Sequence, residues 1–125
     1  MAKILLADDD PLIIRMYQTA LVYQGFEVDS AQNGTEALEK LKNGNYDIFV
    51  FDVMMPQMDG LELLKNLKKI PRYKDVPKIA LTNLAGAEDV EEGIKLGVNK
   101  YIIKSHYKPK EIVDLIKNLL SQKKK

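Results

Sequence analysis

Five polar side chains stand where apolar runs end, and as a set they could carry out phosphoryl transfer. Asp8 and Asp9 follow Lys-Ile-Leu-Leu-Ala (3–7), and Asp52 closes the run Ile-Phe-Val-Phe (48–51). Thr82 closes Lys-Ile-Ala-Leu (78–81), and Lys104 follows Tyr-Ile-Ile (101–103). Three carboxylates in one crevice repel one another and raise one another's pKa unless a cation sits among them. Their oxygens suit a hard divalent ion, and Mg2+ prefers a few carboxylates completed by water and a phosphate oxygen. Thr82 offers a hydroxyl donor to a phosphoryl oxygen, and Lys104 offers a point charge to another. Asp52 would then be the carboxylate nucleophile, with metal, lysine and hydroxyl spreading the charge of the transferring group. No Gly-rich phosphate loop or Walker pattern accompanies these residues, so nucleotide binding is not indicated.

These groups need elements that bring strand ends together. Strands are expected at 3–7, 26–31, 48–52, 78–82 and 99–103. The run from Ile48 to Phe51 is continuously apolar, as in a parallel strand buried on both faces. Pro11, with Asp10 as N-cap, opens a helix to about Tyr23 that carries Leu12, Ile13, Met16, Tyr17, Ala20 and Leu21. Asn33-Gly34 reads as a turn before a helix over Thr35–Leu41, with Ala37, Leu38 and Leu41 inward. Pro56 stops the central strand, and Asp59-Gly60 reads as a second turn. A helix follows over Leu61–Ile70, then a polar loop bracketed by Pro71 and Pro77. Ala87–Leu96 and Pro109 to about Leu120 are the last helices, the latter amphipathic through Ile112, Val113, Leu115, Ile116 and Leu119. Fivefold alternation of strand and helix predicts a parallel sheet with helices on both faces. The ligand crevice of such a sheet lies at the carboxyl ends of its strands.

The chain of 125 residues is expected to form one domain over 1–125, with 122–125 as a tail or linker. The net charge of +1 suggests no nucleic acid and no anionic membrane as a main partner. With no Cys there is no disulfide framework and no thiol site, consistent with a reducing cytoplasm. No signal peptide and no run of membrane-spanning length is visible.

Four stretches, in order and at these spacings, resemble a response-regulator receiver domain of the chemotaxis-regulator-like type used in two-component signalling. They are Ile-Leu-Leu-Ala-Asp-Asp-Asp-Pro (4–11), Phe-Asp-Val-Met-Met-Pro-Gln-Met-Asp-Gly (51–60), Leu-Thr (81–82) and Tyr-Ile-Ile-Lys (101–104). The resemblance implies a flavodoxin-like (βα)5 three-layer sandwich with strand order 2-1-3-4-5. It implies that Asp52 is the phosphoacceptor, that Asp9 binds Mg2+ directly and that Asp8 does so mostly through water. The main-chain carbonyl of Met54 is implied as a further ligand, and Thr82 and Lys104 as holding the phosphoryl group. Tyr101 falls on the family's switch aromatic, which moves with Thr82 and alters the surface of the fourth helix, fifth strand and fifth helix. The implied partners are a sensor histidine kinase or histidine phosphotransfer protein and a downstream effector, with the domain a monomer or a phosphorylation-dependent dimer.

The chain departs from the family pattern in three respects. Ser105 stands where a proline, often cis, follows the lysine, and a cis non-proline bond costs roughly 3–4 kcal/mol. Asn83 replaces a small residue after Thr82. Met54 and Leu84, two beyond Asp52 and Thr82, are apolar and cannot orient an attacking water, which predicts slow self-dephosphorylation. Two other functions stay open. One is an unphosphorylated scaffold that uses the same fold for protein contacts. The other is a Mg2+-dependent phosphatase resembling the haloacid dehalogenases, suggested by the Asp-x-Asp of Asp8–Asp10. His106, the only histidine, reads as a loop residue, and Asp10 and Asp59 as a cap and a turn.

Overall fold

The computed structural model describes residues 2–82, 87–104 and 108–123. Five parallel strands form one sheet: β1 (Lys3–Ala7), β2 (Glu27–Ala31), β3 (Ile48–Asp52), β4 (Lys78–Thr82) and β5 (Lys100–Ile103). Their order is β2-β1-β3-β4-β5, as the resemblance implies. The helices are α1 (Pro11–Tyr23), α2 (Gly34–Asn43), α3 (Gly60–Leu67), α4 (Ala87–Lys95) and α5 (Pro109–Lys123).

Successive strand side chains leave opposite faces of a sheet, and here each set meets its own helices. Leu5, Phe49, Phe51 and Ala80 pack with residues of α2 and α3, whereas Ile4, Leu6, Val50, Ile79 and Leu81 pack with residues of α1 and α5. β3 is buried along its whole length. Phe49 and Phe51 stack with ring centroids 4.7 Å apart. Burying such a side chain is worth roughly 1.5–3 kcal/mol, so this strand is the spine of the core.

Several expected boundaries and faces differ, each for a local reason. On α1 the buried residues are Ile14, Tyr17 and Leu21, while Leu12 and Met16 are exposed. At about 3.6 residues per turn the first three share a line, and Leu12 and Met16 fall on the far side. α2 begins at Gly34 because Asn33 is not in a turn but caps the helix, accepting from Glu36 N at 2.8 Å. Asp59 likewise caps α3, accepting from Glu62 N at 2.9 Å. α3 stops at Leu67 rather than Ile70, and Ile70 is extended, the conformation imposed on a residue before proline. α5 continues through Lys123, past the end of its apolar pattern, and buries Ile112, Val113, Ile116 and Leu120.

The segment bracketed by Pro71 and Pro77 is more than a polar loop. It holds a short 3-10 helix (Pro71–Tyr73), and both Tyr73 and Val76 are buried. Arg72 donates to the carbonyls of Leu41, Lys42 and Gly44 at 2.7, 2.6 and 3.1 Å. The Tyr73 hydroxyl lies 2.6 and 2.8 Å from the carbonyls of Leu41 and Gly44. Orphan carbonyls at the end of α2 are satisfied in this way. Below them the buried Lys78 ammonium donates to the carbonyls of Tyr73 and Val76 at 2.9 and 2.8 Å.

Candidate functional site

Each candidate side chain is delivered by a strand end. Asp8 N donates to Ala31 O at 3.0 Å, carrying the β1–β2 ladder one residue past Ala7. Asp10 N then donates to Asp8 Oδ1, and Leu12 N to Asp10 Oδ1, each at 2.9 Å. This paired Asx turn draws Asp8 into the crevice, spends Asp10 on the cap of α1 and leaves Asp9 exposed. Asp52 ends β3 and is buried; Met54 N donates to its Oδ1 at 3.0 Å. Its other oxygen, Oδ2, lies 3.0 Å from Lys104 Nζ, and the same ammonium is 2.6 Å from Asp8 Oδ2.

Asp8, Asp9 and Asp52 each place a carboxylate oxygen within 4.8 Å of the others. Asp8 is fully buried, and its Oδ2 makes no aligned hydrogen bond despite the nearby ammonium. A triangle of carboxylate oxygens, with one buried oxygen met only by the Lys104 ammonium, fits a hard divalent cation. Asp10 is outside the triangle, with its carboxylate used on Leu12 N. The Asp-x-Asp pattern therefore supplies one carboxylate to the pocket from its two ends, which argues against the phosphatase reading.

Burial is the main force on Asp8 and pushes its carboxyl above the usual range; Lys104 and the Asp10 N–H oppose it, and the charge of Asp52 adds least. For Asp8 desolvation thus outweighs repulsion from Asp52, and the cation expected among the carboxylates is Lys104. For Lys104, burial acts to lower its pKa, but hydrogen bonds and charge from Asp8 and Asp52 prevail and raise it. The two directions compete, since a raised Asp8 favours the neutral acid. An ammonium 2.6 Å from the carboxylate decides for the ion pair.

Thr82 ends β4, buried, in register with Ile103. Tyr101 is in register with Ala80, so strand alternation puts Thr82 and Tyr101 on one face of the sheet. The Tyr101 ring is half-buried against the cluster under α2 and α3. Met54 is exposed at the mouth of the crevice. Asn83, Leu84, Ser105 and His106, and with them the Lys104–Ser105 peptide, lie outside the described residues.

Some parts of the site had little sequence signal. Gln57 sits at φ 69° in the loop that follows Asp52, in the left-handed region unusual for a side-chain-bearing residue. A Cβ on Gly34 would lie 1.9 Å from the main-chain oxygen of Met58, so α2 presses its first turn directly on this loop. The Asn-Gly pair was the only hint of that approach. Tyr17, read as a helix core residue, is buried in the core, and burial pushes its hydroxyl up, with the charge of Lys104 acting against the shift and that of Asp8 with it.

Residues 4–117 match the family model described as response regulator receiver domain. The chain belongs to that family. It is 37% identical over 118 residues to a probable transcriptional regulator, ycf29, of Porphyra purpurea, covering 94% of this chain and 56% of that protein. It is 38% identical over 122 residues to a CpxR homolog of Haemophilus influenzae, covering 96% of this chain and 51% of that one. This receiver domain thus spans about half the length of these curated relatives. Among solved structures, the CheY-like receiver domain protein of Methanospirillum hungatei superposes with a TM-score of 0.91 at 31% identity, covering 99% of this chain and 97% of that one. The chemotaxis regulator CheY4 of Vibrio cholerae gives 0.88 at 32%, covering 95% and 98%. Flavodoxin-like architecture and membership in two-component signalling follow together. Among the described residues no helix is long and apolar enough to cross a membrane.

Proposed function

We propose that this receiver domain accepts a phosphoryl group on Asp52 from a phosphohistidine of a sensor kinase or phosphotransfer protein, in a Mg2+-dependent step. The observation that carries the reading is Lys104, whose ammonium joins Asp52 to Asp8 inside the three-carboxylate cluster. Asp8, Asp9 and Asp52 would hold the metal, with the Met54 carbonyl completing the protein ligands. When bound, the metal supplies charge neutralisation for the transferring phosphoryl oxygens. Met54 N holds one Asp52 oxygen and Lys104 Nζ the other, so the carboxylate is fixed in place for attack. Attack by a carboxylate oxygen on phosphorus breaks the donor's N–P bond and leaves an acyl phosphate, with Lys104 and Thr82 positioned to take its oxygens. The domain catalyses this self-modification and its reversal and is otherwise a signalling element. Rearrangement of Thr82 and Tyr101 would pass the change to the α4-β5-α5 surface and an effector that reads it. A cytoplasmic setting agrees with the Cys-free sequence.

Intact mass after incubation with acetyl phosphate and Mg2+ tests this, wild type beside Asp52→Asn. One added phosphoryl group on wild type alone is expected. No adduct on a wild-type domain that still binds Mg2+ would overturn the phosphoacceptor assignment, and turnover of a generic phosphomonoester would favour a phosphatase. Because Met54 and Leu84 are apolar, the isolated phosphorylated domain is expected to decay slowly. A lifetime of seconds with Mg2+ and no phosphatase would contradict this.

A further inference from the structure

Gly93 lies in the last turn of α4, still ahead of the helix end, where glycine is a poor helix former. A Cβ placed on it would meet the Tyr101 hydroxyl oxygen at 2.2 Å, and Cε2 and Cζ of the same ring at 2.6 and 2.7 Å. The outer edge of the Tyr101 ring therefore rests on bare helix backbone. Gly34 and Gly60 also lack room, but their obstacles are main chain or the fully buried Phe51 ring. There the fold itself requires glycine. At Gly93 every obstacle belongs to the far end of one rotatable side chain, so glycine is required by where that ring sits. Tyr101 shares its sheet face with Thr82, at the end of the neighbouring strand.

We propose that Gly93 is a positioning residue for Tyr101: its missing side chain forms a seat on α4 that holds the ring on the Thr82 face, so that ring and helix move together. The consequence for switching rests on the reading of Thr82 and Tyr101 given above; the seat itself does not. An alanine at this position evicts the ring and uncouples α4 from β5.

Thermal melts of Gly93→Ala, Tyr101→Ala and the double variant, all without metal, test the seat. Alanine is the better helix former, so Gly93→Ala is expected to raise Tm by roughly 4 °C in the Tyr101→Ala background. In the wild-type background it is expected to give no rise or a fall. An equal rise in both backgrounds overturns the proposal. Nitration of Tyr101 by tetranitromethane, located by peptide mass with the exposed Tyr23 as internal reference, gives a readout independent of stability. It should be several-fold faster in Gly93→Ala, and an unchanged rate overturns the seat. Acetyl phosphate with Mg2+ should change Tyr101 nitration in wild type and leave Gly93→Ala unaffected; a wild-type response in Gly93→Ala overturns the coupling. If wild type gains no phosphoryl mass, the phosphoacceptor reading fails, while the melts and metal-free nitration still decide the seat.

Discussion

Asp8, a proposed metal ligand, is held by the fold at a cost in stability. Its carboxyl titrates above its ordinary 3.8 because it is buried. The stability linked to its protonation is therefore complete below pH 3.8 and is lost as pH rises through the folded-state value. Above that window the fold holds a desolvated charge that the unfolded chain keeps in water. Asp8→Asn is expected to stabilise the metal-free domain at pH 7 by on the order of 1 kcal/mol, while weakening Mg2+-dependent phosphorylation. The gain should vanish below pH 3.8, where both forms are neutral; melts in chelator at the two pH values check the sign. At this scale the sequence was legible in placement, since Asp8, Asp9, Asp52, Thr82 and Lys104 do stand at or just past strand ends. It was not legible for Lys78 or Gly93. A lysine opening a strand reads as solvated, and only the fold of the preceding turn, which aims the carbonyls of Tyr73 and Val76 at its ammonium, makes it a buried donor.

Between elements, the loop after Asp52 is the critical piece. It leaves β3 through Met54, passes Gln57 at positive φ and enters α3 at the Asp59 cap, with α2 pressed against Met58. Asp59→Ala removes one cap bond and is expected to lower stability by about 1 kcal/mol in urea titration at constant m. Gly34→Ala must displace the Met58 backbone, so a larger loss, roughly 2–3 kcal/mol, is expected. Because that displacement moves the loop carrying the Met54 carbonyl, the rate of adduct formation with acetyl phosphate should fall with it, which Asp59→Ala should largely spare. The type of every strand and α-helix was readable from periodicity and from Gly and Pro, but the 3-10 turn at Pro71–Tyr73 was not. The errors came at Asn33 and Asp59, where a capping residue and a turn residue look alike, and at Ile70, where a helical pattern ran up to a proline that ended it.

Across the whole molecule, the chemistry sits at one end of the sheet and a clamp at the other. Arg72, Tyr73 and Lys78 tie the 3-10 turn to the end of α2 and the start of β4. Lys78→Met should lower stability by about 2 kcal/mol yet leave the acetyl phosphate reaction within about twofold, since it strips charged bonds far from the crevice. Asp9 offers the converse case, being exposed and a proposed metal ligand. Asp9→Ala should leave the melt in chelator nearly unchanged. It should abolish stabilisation by Mg2+, which for wild type reaches about 2.7 kcal/mol when free metal is a hundredfold above Kd. Melts across a Mg2+ series for both proteins check this. The doubly wound topology could be read from alternation alone, whereas the clamp could not, because Arg72 and Tyr73 find their acceptors about thirty residues away in sequence.

The lysine bridging Asp8 and Asp52 gives the resting domain a counter-ion of its own. Its ammonium is nearly buried, so dissolved salt screens the bond little. The metal-free form should therefore be nearly indifferent to monovalent ionic strength, its crevice carrying a tethered cation that offsets part of the acidic charge.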